Sequence, residues 1–346
     1  MNSQFIFTLK MRYVSMKYIK LTYLLLCLPL FCYSQNGEDT YTFLRIPTSA
    51  RAVALGGHTV SLVESEPALI FHNPALLGGE MDNVVNVNYL NYFSDVNIGN
   101  VVYTRAFRER SSLGAGITYI NYGNFKEMNI NGEELGTFSV QDIGFHAFYS
   151  YDLSEKWRGG VSLKALYSTI ADYTSFGLAV DAGLSYFDQE KDFSFGVALK
   201  SIGAQLKSYH DDRQSIPWDL QMGISRRLAH APIRVSVTAM YLNQWKFDYI
   251  ENTEIKTDDS FFNTVFKHLV LGAEFVPSNN FWVGIGYNPK MKMDMKLSSG
   301  NGLGGFSIGG GVKVSRFNVS ASVARYHPSA TSLMVGVAMS LADVTP

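Results

Sequence analysis

The 346-residue chain has a formal net charge of -1 and only 17% charged residues, against about 25% in an ordinary soluble domain. Aromatic residues reach 14% and 30 Gly are spread along the length, yet mean hydropathy is only +0.01, too low for a bundle of membrane helices that each need about 20 apolar residues. Cys27 and Cys32 both fall in the first apolar stretch, so the rest of the chain has no disulfide, thiolate catalysis or cysteine metal site, and a neutral balance without a basic block excludes the footprint of nucleic-acid binding.

From Met16 the sequence reads Met-Lys-Tyr-Ile-Lys, runs almost wholly apolar from Leu21 to Tyr33, and turns polar at Ser34. A short basic start, an apolar core of about 7–15 residues and a small residue before a polar stretch make a signal peptide for Sec export. Residues 1–34 are therefore expected to be removed. Met16 is a better start than Met1, because the residues ahead of it add a second apolar patch with no evident purpose. The apolar run is too short for a membrane anchor, which requires about 20 residues, and neither cysteine follows the small residues of a lipidation site.

Residues 35–83 do not alternate. They contain Ala50-Arg51-Ala52-Val53-Ala54-Leu55-Gly56-Gly57 and, further on, Asn73-Pro74-Ala75-Leu76-Leu77-Gly78-Gly79. Small residues and paired glycines permit close backbone approach, and Asn-Pro starts a turn. Placed ahead of a barrel, such a stretch is expected to fill the lumen as a plug, with Ala50, Arg51, Ala52, Leu55, Gly56, Gly57, Asn73, Pro74 and Ala75 as its structural motif.

From Val84 to Leu341 short runs of period-two alternation recur, which is the strand signal. Phe317, Val319, Ala321 and Val323 share one face against Asn318, Ser320 and Ser322; Leu333, Val335, Val337, Met339 and Leu341 repeat the pattern. Ile233, Val235, Val237 and Tyr241 oppose Arg234, Ser236 and Thr238, and Val161, Leu163, Ala165 and Tyr167 oppose Ser162 and Lys164. Lys164, Arg234 and Lys313 thus fall on the polar parity, which in a barrel faces the lumen and not the lipid. About fourteen runs are expected. Short turns are placed near Phe107–Ser111, Leu153–Lys156, Gln189–Lys191, Leu228–Pro232, Pro277–Asn279 and Ser315-Arg316. Longer polar connections are placed at Gly123–Phe138, Gly203–Ile216, Asn243–Lys267 and Pro289–Gly302. Short periplasmic turns alternating with longer outer loops describe an all-β transmembrane outer-membrane barrel of antiparallel strands over residues 84–346, wide enough to need internal filling.

The paired motifs Ala-Arg-Ala-x-x-Leu-Gly-Gly and Asn-Pro-Ala-Leu-Leu resemble the N-terminal region of the Bacteroidetes PorQ and PorV proteins, a FadL-like barrel family. The phrases Asn88-Tyr89-x-Asn91-Tyr92, Tyr119-Ile120-Asn121-Tyr122-Gly123, Ser175-Phe176-Gly177-Leu178 and His230-Ala231-Pro232 lean towards the PorQ branch. The resemblance implies a component of the type IX secretion system that anchors the cell-surface attachment complex, holding PorZ together with PorU and PorV, in contact with outer-membrane lipid and lipopolysaccharide. The alternative it carries is a FadL-like transporter of hydrophobic solutes. One departure is the C-terminus, where Ala-Asp-Val-Thr-Pro replaces the terminal aromatic residue of many barrels.

No catalytic constellation is legible, so no enzyme, metal or cofactor is expected. Seven histidines are scattered, none at ligand spacing from another, and His72 beside Asn73-Pro74 reads as a plug packing residue. Gly309-Gly310-Gly311 lacks the Lys-Ser/Thr ending of a phosphate loop and reads as strand glycines at a bend or a close contact. The acidic groups Asp211-Asp212 and Asp258-Asp259 read as solvated outer loops, with divalent-cation bridging as the sharper possibility.

Overall fold

The computed structural model describes residues 39–341 apart from 130, 211–212, 246–247, 252–253, 258–260, 295–303 and 328–329. The expected signal peptide, the acidic pairs Asp211-Asp212 and Asp258-Asp259, and the tail after Leu341 lie outside the described residues. Fourteen antiparallel strands close a barrel. They are β1 (Val84–Asn91), β2 (Asn97–Arg108), β3 (Ser111–Met128), β4 (Glu134–Asp152), β5 (Trp157–Ile170), β6 (Tyr173–Asp188), β7 (Phe193–Lys207), β8 (Asp219–Arg227) and β9 (Ile233–Ala239), followed after an insertion by β12 (Leu269–Ser278), β13 (Phe281–Tyr287), β14 (Phe306–Val314), β15 (Phe317–His327) and β16 (Ala330–Ser340). The insertion holds a small hairpin, β10 (Asp248–Glu251) with β11 (Glu254–Thr257). β1 pairs with β16 from Val84↔Ser340 to Asn91↔Leu333 and closes the ring, so no strand edge is left unpaired in the hydrocarbon, where each orphan backbone group costs several kcal/mol.

Alternation decides which side chains meet lipid. Val101, Ile117, Phe145, Leu163, Val180, Ile224, Ile285, Ile308 and Val337 are exposed on the outer face, while their neighbours Asn100, Thr118, His146, Ser162, Lys164, Asp181, Ser225 and Ser307 are buried inside. Tyr89, Tyr119, Tyr167 and Tyr173 stand on the outer face towards one end, and Phe107, Tyr149, Tyr151, Trp157 and Phe317 towards the other. Such aromatic girdles suit the two membrane interfaces. No described helix is long and apolar enough to cross a membrane.

The two ends differ. At the end where β1 starts and β16 stops, every connection is short, as expected from the sequence; at the opposite, loop end β7–β8, β9–β12 and β13–β14 are joined by long connections, whereas β5 and β6 meet in a tight turn between Ile170 and Tyr173. Their detail departs from expectation. Gly123–Phe138 is mostly strand, because β3 and β4 stay paired out to Met128↔Glu134 across a register shift at Asn121/Asn124. β7 likewise runs on to Lys207. The 243–267 stretch contains the β10–β11 hairpin and most of helix α2 (Phe261–His268), and Pro289 opens helix α3 (Pro289–Asp294). Tyr241 does not share the outward face: β9 stops at Ala239, Tyr241 takes a φ of 56°, and its ring packs 6.5 Å from that of His58.

Candidate functional site

Residues 39–83 run through the lumen. The segment starts at the loop end, where Asp39 bridges Ser215 of the β7–β8 connection, and finishes at the turn end, where β1 begins. Between these points most of it is buried, including the whole of residues 50–62 and 66–78, while Val63 to Ser65 between them are partly or fully exposed.

Local sequence explains its shape. Ser49 caps helix α1 (Ala50–Ala54), its Oγ accepting from the Ala52 N–H at 3.2 Å. The helix stops at two glycines with φ of +97°, and the Gly57 N–H reaches back to the Ala52 carbonyl at 2.8 Å, a glycine-terminated helix end that side chains with a Cβ rarely adopt. Asn73 accepts from the Ala75 N–H at 3.0 Å and donates through Nδ2 to the Val60 carbonyl at 2.8 Å, while Pro74 opens the short 3-10 turn Pro74–Leu76. Ala50, Ala52, Leu55 and Ala75 are all at most 1% exposed.

Glycines of the inner wall let this backbone approach closely. An added Cβ at Gly160 would overlap Pro74 and Ala75, at Gly183 the Asn73 side chain, at Gly196 the Val60 carbonyl and at Gly286 the Gly56 N–H. Gly309, within the triplet noted in the sequence, faces Ala54. The wall also donates: Ser307 Oγ bonds the Ala54 carbonyl at 3.0 Å, Ser150 Oγ the Leu77 carbonyl at 2.7 Å, and Thr104 Oγ1 the Met81 carbonyl at 2.7 Å.

A buried ion network fastens the segment near the turn end. Arg51 pairs with Glu274 of β12 at 2.6 Å and Glu64 at 3.3 Å; Arg234 of β9 pairs with Glu64 and, at 3.4 Å, with Glu274. The Arg51 guanidinium also lies 5.0 Å from the Trp282 ring centroid. Burial disfavours charge on Arg51, but Glu274 and Glu64 outweigh it and raise its pKa. Burial pushes Glu64 upward, yet Arg51 and Arg234 hold it below the ordinary carboxylate value. Glu66, which accepts from Ser49 Oγ at 2.5 Å, is instead raised by burial. On the opposite wall Lys164 pairs with Asp181 at 2.8 Å.

The expected motif residues are thus brought into one luminal segment, whereas its wall partners were not legible. Arg234 and Lys164 carried a signal, a charge on the inward parity. Glu274 carried none that selects its partner, because its pairing with Arg51 spans 223 residues of chain and depends on the luminal segment reaching β12; Asp181 meets Lys164 across the adjacent strands β5 and β6, in a register that alternation alone does not fix. The histidines, scattered in sequence, also converge: His58 and His72 rings lie 6.4 Å apart and Phe71 packs on His146 at 4.9 Å. Among the described residues no cluster of His, Cys, Asp and Glu could hold a metal ion.

Comparison with known proteins adds the family. Among curated proteins, none matches the sequence. In solved structures the barrel is similar to the Pseudomonas putida toluene transporter TodX, with a TM-score of 0.51 at 11% identity over 83% of this chain and 95% of that one. It is also similar to a Pseudomonas aeruginosa FadL homologue, with a TM-score of 0.50 at 9% identity over 85% of this chain and 98% of that one. At such identities the likeness is one of fold. Residues 37–226, which hold the luminal segment and the first eight strands, match the family model described as type IX secretion system protein PorV. With more than half of its length matched and a closed FadL-like barrel around its luminal segment, the chain belongs to the PorV family of type IX secretion system outer-membrane proteins.

Proposed function

We propose that this barrel anchors the surface attachment complex of type IX secretion, holding PorZ together with PorU and PorV as the PorQ branch of the family is expected to do. In this reading residues 1–34 are a signal peptide removed on Sec export, residues 35–83 are a fixed plug, and the loop end faces the cell exterior. One observation carries it: helix α2, at the loop end, leaves Phe261, Phe262 and Phe266 at 69%, 74% and 51% exposed, and Trp245 of the same connection, its ring 4.7 Å from that of His268 at the end of the helix, is 54% exposed. Large aromatic side chains clustered on an outer loop suit a protein interface, where such residues dominate binding. A lumen filled by a segment bonded to the wall supports a holding role over conduction.

The test is a triple substitution of Phe261, Phe262 and Phe266 by serine in the native outer membrane. These exposed positions should change barrel stability by less than about 0.5 kcal/mol each, so heat-modifiable gel mobility stays normal while PorZ appears in the medium. PorZ retained at the surface, with normal cargo attachment, would count against anchoring through this helix. The second reading, uptake of a hydrophobic solute, is favoured by the fold shared with the toluene transporter TodX. It requires the plug to move.

A further inference from the structure

Between the luminal segment and the wall lies a small cavity of about 30 Å³, room for one small species. Its polar lining comes from Thr48 and His72 of the luminal segment, Thr118 of β3, His146 of β4, Lys164 of β5 and Lys200 of β7. Donors there outnumber acceptors. His72 is 2% exposed, and neither of its ring nitrogens has a hydrogen-bond partner. The Thr48 hydroxyl and His146 Nδ1 are also buried without one.

The charges are uneven as well. Lys164 spends its ammonium on Asp181 at 2.8 Å and on the Ser201 hydroxyl at 3.1 Å. Lys200, 8% exposed, has neither an ion pair nor a hydrogen bond among the described residues. Asp219 sits opposite it in the β7–β8 register, but its oxygens accept from the Tyr241 N–H and the Gln221 amide. Asp181 in turn is taken by Lys164, the Ser162 hydroxyl and the Ser201 N–H. A buried ammonium left in this way is costly unless something pairs with it.

We infer that the cavity is a binding site for a small monovalent anion of the chloride class, held between Lys200 on the wall and His72 on the luminal segment. Water fits the volume, but it brings donors and acceptors in equal number, and Asp181 and Asp219, which act on Lys200 through their charge, have their oxygens taken by other donors and leave its N–H groups without an acceptor. An anion accepts from the Lys200 ammonium, from the His72 N–H and from the Thr48 hydroxyl without offering a competing proton. Burial and the nearby Lys200 keep His72 well below its ordinary pKa, so its imidazole is neutral and supplies one N–H. Because its donors come from both wall and segment, the bound anion ties the two together. This site is independent of which partner docks at α2.

The test uses the full refolded chain and follows the midpoint of its heat-modifiable gel transition in chloride, bromide or gluconate at equal ionic strength. A ligand that binds only the folded form raises the midpoint saturably. The expected result is a saturable rise in chloride and bromide but not in gluconate, lost in Lys200→Gln. Equal midpoints in all three salts, or a halide response that survives Lys200→Gln, overturns the proposal. If Lys200→Gln does not fold, crystals of the unaltered chain grown in bromide decide the matter. An anomalous peak in contact with Lys200 Nζ at millimolar bromide supports the site, and a peak only at molar bromide, or none, rules it out.

Discussion

At the scale of single residues, the network of Arg51, Glu64, Arg234 and Glu274 illustrates how a polar lumen can still be rigid. Each carboxylate there accepts from two guanidinium groups, and Arg51 and Glu274 side chains are only 5% and 1% exposed. Breaking such a network by removing one charge typically costs about 3–5 kcal/mol, because the remaining charges stay buried and unbalanced. Glu274→Gln should therefore lower barrel stability by about that amount, measured as the urea midpoint of the heat-modifiable band. Adding Arg51→Gln should recover part of the loss, since the double variant removes one charge of each sign. A purely additive double variant would show that the two side chains do not act through each other.

At the scale of elements, the wall glycines are as informative as the charges. A central strand loses packing wherever it carries glycine, yet β5, β6, β7 and β13 place Gly160, Gly183, Gly196 and Gly286 where the luminal backbone passes. Gly196→Val should overpack against the Val60 carbonyl and cost roughly 1–3 kcal/mol. Gly99 on β2 has nothing within 4 Å of an added Cβ, so Gly99→Val is the matched control and should unfold at the unaltered midpoint. Equal effects of the two substitutions would mean that the cost is one of strand propensity and not of contact with the segment. The alternating pattern had announced the strands and most of their turns. It missed the extension of β3 and β4, because the polar residues from Gly123 onward read as loop although main-chain pairing continues through them.

At the scale of the whole molecule, the question is whether the segment 39–83 is a seal or a gate. Gly56 and Gly57 occupy left-handed backbone, and a Cβ at Gly56 would press on Val270 of β12. Gly56→Leu with Gly57→Leu should destabilise the barrel by roughly 1–3 kcal/mol per site and leave uptake of hydrophobic solutes unchanged if the segment is fixed. A permeability change with normal gel mobility would reverse the preference for a holding role.

The sequence by itself determined the class of fold, because period-two alternation, a charge deficit and hydropathy near zero are local properties that a lipid-facing barrel imposes on every strand. It also marked residues 50–57 and 73–75 as unlike the strands, since paired glycines and Asn-Pro have local conformational meaning. Only the tertiary structure decided what those residues touch. Closing the ring brings Glu274 to Arg51 across 223 residues of chain, and it gathers His72, His146 and Lys200 around one cavity. Those meetings depend on strand order and register summed around the barrel, and no window of the chain contains them.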